Sequence, residues 1–335
     1  MICNNVLLHN VDTPPAVEGG VLLQRAPEAV RREVNERAQG QLRLPAGVEV
    51  RYVSKGPATV RFRSEGQSWL WVFRGGYQAD HPVLVGTEEI AFQPPHHPRL
   101  IDWPQPGFAG TSFSPDVVRL RAFGDPLIFC GAEGEGLRPP SAEEMPTRRY
   151  LAYGTSITQG VGAAGPHLTY AARCARLLDA DLINLGCGGS ALCDQAMTDY
   201  MAGRSDWDFA TLEISVNMCN RGMAVEEFTR RAEYMVDRLS AAAPARPVVC
   251  MTMLPFFYDA PGVADLEPEG HQRAIDYRQA LRDVAAGIDR PNIHLVEGPE
   301  LLRDAQGLKD DLIHPGDVGM AEIAKNLADR LRPLL

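Results

Sequence analysis

Arg149-Tyr150-Leu151-Ala152-Tyr153-Gly154-Thr155-Ser156-Ile157-Thr158-Gln159-Gly160 decides how the chain is read. Its first half is an apolar, aromatic run of the kind that forms a buried strand. Gly154, two small hydroxyl residues and Gly160 then mark a sharp turn, and a helical pattern follows over residues 167–178. A serine on the turn after a parallel strand lies at the carboxyl edge of a sheet, where open α/β folds place ligands. Ser156 is therefore a candidate nucleophile. The competing reading is a hydroxyl that only caps the following helix.

The far end of the chain bears on that choice. Asp310-Asp311-Leu312-Ile313-His314-Pro315-Gly316-Asp317 precedes the last helical pattern. Asp311 and His314 stand three apart in a loop flanked by Pro and Gly. That spacing lets a carboxylate accept from one imidazole nitrogen while the other faces a hydroxyl. Serine is a weak nucleophile at its free pKa and needs such a base. A lone histidine before a helix is more often surface or capping decoration, but with Ser156 and Asp311 the catalytic reading is favoured.

These residues resemble a known family. Tyr153-Gly154-Thr155-Ser156-Ile157-Thr158 is similar to the first block of the SGNH (GDSL-like) hydrolases, and Asp311-Leu312-Ile313-His314 to their last, D-x-x-H. Asn184-Leu185-Gly186-Cys187-Gly188-Gly189-Ser190 resembles the second block, with its glycine on Gly189. Ser215-Val216-Asn217-Met218 stands where the family has G-x-N-D, with the asparagine on Asn217. The four blocks occur in family order and cover about residues 148–335. Thr155 replaces the Asp of G-D-S, and Ser215 and Met218 replace the residues flanking the asparagine. The resemblance is to two-domain members with an N-terminal β-sandwich. It implies an oxyanion hole made of the Ser156 and Gly189 backbone N–H groups and the Asn217 side-chain amide.

Composition narrows the alternatives. The chain has 335 residues, enough for two domains. Its formal charge of −10 argues against a nucleic-acid partner. No apolar run approaches membrane-span length, so a membrane partner is not expected. The seven cysteines are odd in number and mostly sit in apolar runs, which suits buried free thiols in a reducing compartment. The first ten residues carry no basic, apolar leader pattern. A cytoplasmic location is the expectation.

Up to about residue 138 the pattern is short alternating strands between turns, over residues 48–53, 58–64, 69–73 and 117–123. This predicts a β-sandwich of jelly-roll type. A single helix is predicted over residues 26–38, with Pro27 in its first turn and Gly40 just past its end. Trp69, Trp71, Tyr77 and Trp103 read as sandwich core ahead of a sugar-stacking face. His96-His97 sits among prolines without ligand partners, which disfavours a metal site. Residues 131–146 are rich in Gly, Pro and Glu, a linker composition. The expected division is 1–142 for the sandwich and 147–335 for the catalytic domain.

The second half alternates strand and helix signals. Strands are predicted at 150–153, 182–185, 209–216, 248–253 and 293–296, and helices at 167–178, 225–242, 271–287 and 317–331. Apolar runs separated by helices make βαβ units. The expected fold is a flavodoxin-like, three-layer α/β/α domain with a parallel five-stranded sheet. Gly186-Cys187-Gly188-Gly189 lacks the lysine and spacing of a phosphate loop.

The expected activity is hydrolysis of short acyl esters, including O-acetyl groups on carbohydrate, through Ser156, His314 and Asp311. No metal or organic cofactor is required. The substrate is a small-molecule or carbohydrate ester. Two other functions remain open: an acyltransferase that passes the acyl group to an alcohol, and a carbohydrate-binding protein with a silent hydrolase-like domain.

Overall fold

The computed structural model describes residues 1–14, 16–95 and 112–335. Trp103 and the His96-His97 loop lie outside the described residues. Two antiparallel sheets face each other in the N-terminal half. One has seven strands, with Val6–His9, Glu49–Tyr52, Val118–Gly124 and Ser68–Arg74 side by side at its centre. The other has five, centred on Ala58–Ser64 and Leu127–Gly134. Leu8, Val50, Leu70, Val72 and Leu120 from the first sheet meet Val60, Phe62, Leu127 and Phe129 from the second, the apolar alternation closing on itself.

Three expectations for this half differ from the structure. The 26–38 helix is two short helices, Glu28–Glu33 and Glu36–Gln41, because Asn35 caps the second one by accepting from the Ala38 N–H. Gly40 lies inside the second helix. The glycine-rich stretch from 131 begins as the end of the strand Leu127–Gly134, which pairs with Ala58–Ser64 through a bulge between Phe129 and Gly131. Trp69 and Trp71 are not core. Strand alternation turns both outward, opposite Leu70 and Val72, leaving Trp69 exposed and Trp71 half-buried.

The second half is a five-stranded parallel sheet in the order Ala180–Asn184, Arg148–Gly154, Phe209–Glu213, Val248–Met251, Ile293–Val296. This is the 2-1-3-4-5 order of flavodoxin-like folds. Helices Val225–Ala242 and Pro268–Gly287 pack with one face, and Tyr170–Leu177 and Asp317–Leu331 with the other. The predicted helix over 225–242 and the strand over 293–296 match residue for residue. The predicted 209–216 strand stops at Glu213, and a short helix, Val216–Asn220, carries Asn217 instead. Among the described residues no helix is long and apolar enough to cross a membrane. All seven thiols are free and five are buried.

The outer face of the seven-stranded sheet docks on the α/β half. Glu49, Arg51, Arg119 and Arg121 alternate with core residues along their strands, a pattern that ordinarily faces water. Here Glu49, Arg51 and Arg119 are buried. Arg51 makes a two-pronged pair with Asp181, both arms at 2.7 Å, and also bonds Glu49 at 2.8 Å. Glu49 in turn takes two bonds of 2.7 Å from Arg119. Burial alone would raise the Glu49 carboxyl, but the guanidiniums of Arg119, Arg51 and Arg121 hold it well below the ordinary carboxylate range. His9 is driven down to about 4 by burial and by the Arg51 charge, so it is neutral and its Nε2–H donates to the Leu182 carbonyl at 2.6 Å.

Removing one partner of such a buried network strands the others. Arg51→Met leaves Asp181 without its pair and should cost about 3–5 kcal/mol of unfolding free energy in urea titrations. Arg51→Met combined with Asp181→Leu should cost less than the single change. A single-variant loss under about 1 kcal/mol would show that the pair contributes nothing net.

Candidate active site

Ser156 opens a four-residue helix, Ser156–Gln159, directly after the strand Arg148–Gly154. Thr155 is the capping residue, its hydroxyl accepting from the Ile157 N–H, so Ser156 itself is not the cap. The helix is stopped by Gly160 in a left-handed conformation, φ 111°. The turn is tight: a Cβ on Gly154 would stand 2.7 Å from the Glu213 carbonyl oxygen. Ser156 is only 8% exposed.

His314 reaches this turn from the loop before Asp317–Leu331. Its Nε2 lies 2.8 Å from Ser156 Oγ, and its Nδ1 lies 2.6 Å from Asp311 Oδ2. A carboxylate only accepts, so Nδ1 carries the hydrogen and Nε2 presents a lone pair to the serine hydroxyl. The other oxygen of Asp311 accepts from the backbone N–H groups of Ile313 and His314, both at 2.9 Å. Partial burial pushes the Asp311 carboxyl up, but these N–H donors and the imidazole outweigh it and leave it below its ordinary value. Leu312 takes a left-handed conformation, φ 53°, to close this three-residue hook.

Gly189 and Asn217 come to the same edge from the next two connections. Gly188 sits against the serine, where a Cβ would stand 3.5 Å from Ser156 Cβ. Gly189 is left-handed, φ 63°, and its N–H has no partner among the described residues. The Asn217 Oδ1 accepts from the Ala191 N–H at 3.1 Å, which leaves its Nδ2 as the end free to donate. Thus the structure brings Ser156, Asp311, His314, Gly189 and Asn217 to one sheet edge. His271 and His294, the other histidines considered as bases, are elsewhere: His271 bonds the Tyr258 carbonyl and His294 lies in the strand Ile293–Val296.

Several supporting residues were not read from sequence. Gln159 Oε1 accepts from the Gly188 N–H at 2.5 Å, and Asn184 donates to the Thr158 carbonyl at 2.7 Å, tying the serine turn to the next loop. Arg25, fully buried, donates to the carbonyls of Asn184 and Gly186 at 3.1 and 2.8 Å. Arg25 precedes the helices of the N-terminal half, so no local pattern links it to the site. Glu213 could have been noticed as a charge inside an apolar strand.

Residues 152–322, just over half of the chain, match the family model of the GDSL-like lipases and acylhydrolases. The chain belongs to this family. No curated protein matches the chain. Among solved structures, a salicylyl-acyltransferase from a tetracycline biosynthetic pathway superposes with a TM-score of 0.74 at 19% identity, over 98% of this chain and 95% of that one. An acetyl xylan esterase from the rumen bacterium Butyrivibrio proteoclasticus gives 0.60 at 12% identity, over 99% and 96%. A family two carbohydrate esterase from Clostridium thermocellum, in complex with cellohexaose, gives 0.59 at 15% identity, over 85% and 91%. At such identities the likeness is one of fold.

Where the family's first block has an Asp, this member has Thr155, and the acidic group beneath the turn is Glu213. Its Oε2 accepts from the Thr155 N–H at 2.9 Å, the Thr155 hydroxyl at 2.6 Å and the Thr158 hydroxyl at 3.1 Å. Burial raises its carboxyl to about 7, against the pull of those donors. A carboxyl raised from 4.5 to about 7 by folding holds its proton more tightly in the folded state. Its contribution to stability is therefore complete below pH 4.5 and lost as pH climbs through 7. Glu213→Gln lacks that slope. Wild type should lose about 1–3 kcal/mol relative to the variant between acid and mildly alkaline pH, read from urea unfolding at each pH. Parallel curves for the two proteins would mean that Glu213 titrates as an ordinary carboxyl.

Proposed function

We propose that the chain is a serine esterase that hydrolyses short acyl esters through an acyl-enzyme. The observation that carries this reading is the unbroken chain Ser156 Oγ–His314 Nε2–His314 Nδ1–Asp311 Oδ2, at 2.8 and 2.6 Å. Both distances lie within hydrogen-bond reach of a nucleophile, its base and the orienting acid.

In this reading Ser156 Oγ attacks the ester carbonyl while His314 Nε2 takes its proton. The negative charge that develops on the carbonyl oxygen is met by the Ser156 N–H, the Gly189 N–H and the Asn217 amide, donors fixed before the substrate arrives. His314 then protonates the departing alcohol. Water, activated by the same imidazole, releases the acid. Asp311 stays ionised throughout and stabilises the imidazolium. The esterase folds named above lend the substrate class: acetyl groups on carbohydrate hydroxyls are the first esters to test. Residues 1–142 act as the accessory sandwich and 147–335 as the catalytic domain, although the helices of 28–41 cross that division to pack on the α/β core through Val34 and Ala38.

Ser156→Ala should abolish labelling by an organophosphate ester and lower turnover by several orders of magnitude while unfolding normally. Label recovered on Ser190 in the wild type would remove Ser156 from the mechanism. Product analysis with and without an added alcohol reports whether water or an acceptor receives the acyl group.

Asn217→Ala should lower kcat far more than it raises KM, because an oxyanion donor acts mainly in the transition state. The expected loss is about 100-fold or more in kcat. An unchanged kcat would restrict Asn217 to tethering Ala191.

A further inference from the structure

Beside Gly189, a residue of the candidate site, stand two arginines that no carboxylate among the described residues meets. The chain has 43 acidic and 33 basic side chains, and many of its arginines meet carboxylates. Arg31 and Arg32 pair with Glu28, Arg230 and Arg231 with Glu227, and Arg278 with Asp259. Two arginines beside Gly189 are different. Arg37, on the helix Glu36–Gln41, lays its guanidinium where a Cβ on Gly189 would stand, its Cζ 2.6 Å from that position. Arg221, just past the helix that carries Asn217, donates to the Gly189 carbonyl at 2.7 Å.

Both side chains are exposed, and among the described residues neither meets a carboxylate. The Arg37 side chain is turned to Gly189. The two guanidiniums thus come from different halves of the molecule and converge on one residue, Gly189. That residue follows Gly188, where a Cβ would stand 3.5 Å from Ser156 Cβ. Overall charge repels an anion from this protein, and a local pair of arginines beside Gly189 offsets that repulsion there. Guanidinium presents a fork of N–H donors that matches a carboxylate.

We propose that Arg37 and Arg221 form a subsite for a carboxylate on the substrate. The ester taken then carries a negative group a few bonds from the reacting carbonyl, on its acyl or its alcohol part. This rests on the esterase reading of Ser156 and narrows its substrate class.

Two matched ester pairs test it. In the first, p-nitrophenyl hydrogen succinate differs from p-nitrophenyl butyrate by a carboxylate on the acyl part. In the second, 4-acetoxybenzoate differs from phenyl acetate by a carboxylate on the alcohol part. Wild type should favour the anionic member of at least one pair in kcat/KM, and the preference should shrink in high salt. In Arg37→Gln and in Arg221→Gln the ratio of anionic to neutral kcat/KM should drop about tenfold. The ratio is the readout because Arg221 also holds the Gly189 carbonyl. Equal losses on both members, or no preference in either pair, would overturn the subsite.

Binding separates this proposal from the esterase reading. Succinate and 4-hydroxybenzoate are titrated calorimetrically into Ser156→Ala, with and without Arg37→Gln. Binding that the second change weakens about tenfold supports the subsite even if no ester is turned over, in which case the esterase reading alone fails. Ester hydrolysis with no charge preference sinks the subsite whatever the binding and leaves the esterase reading standing.

Discussion

An open parallel sheet has two edge strands, and one of them here is Ala180–Asn184. Beyond it the chain still bonds inward: the Leu185 and Cys187 N–H groups reach the carbonyls of Ala152 and Gly154. The carbonyls of Leu182, Asn184 and Gly186 point the other way and would be left to solvent or to another chain. The N-terminal half takes all three. His9 meets Leu182, Asn10 and Arg25 meet Asn184, and Arg25 meets Gly186. The Arg51–Asp181 pair fixes the same strand from its start. Covering this edge is what gives the sandwich its place on the molecule.

That covering also reaches the candidate site. The strand that is covered runs directly into the loop carrying Gly188 and Gly189. Arg25 holds the loop by its Gly186 carbonyl, while Gln159 holds it by the Gly188 N–H. The serine turn and the second-block loop therefore share one set of hydrogen bonds, closed from below by Glu213 and from the side by Arg25. Donors held this way need no rearrangement when charge develops on a substrate oxygen. A second contact runs between Trp71 and His167, with ring centroids 4.9 Å apart, so the sandwich also buttresses the loop that packs beside His314.

The docking face is polar rather than greasy. Burying Glu49, Arg51, Arg119 and Asp181 together carries a desolvation cost that close pairing largely offsets. What such a network enforces is alignment: an apolar face could slide, whereas a two-pronged Arg–Asp pair fits in one register. The guanidinium of Arg119 also stacks on Phe113, 3.6 Å from its ring centre, so charge and aromatic contact act on one side chain. An N-terminal half positioned to that accuracy can lend Arg25 and Arg37 to the neighbourhood of Ser156.

Elements whose causes are local can be read along the chain. The 3.6-residue period of 225–242 and the apolar run at 293–296 set their own bounds. Small residues around Ser156 and the three-residue spacing of Asp311 and His314 mark the candidate site without help from any distant segment. Alternation along 58–64 and 117–123 likewise announces a sandwich. Other features have causes that lie far apart in the chain, and only folding brings those causes together. Alternation says that Arg51 and Arg119 face away from the sandwich core, but the docked α/β half is what turns that outer face into an interior. Trp71 has the chemistry of a core residue and is instead a contact between halves. Glycines from residue 131 have the composition of a linker, yet pairing with Ala58–Ser64 extends them as strand. Arg25 and Arg37 belong to no motif; they matter because the path of the chain carries them across to Gly186 and Gly189, more than 140 residues away in sequence.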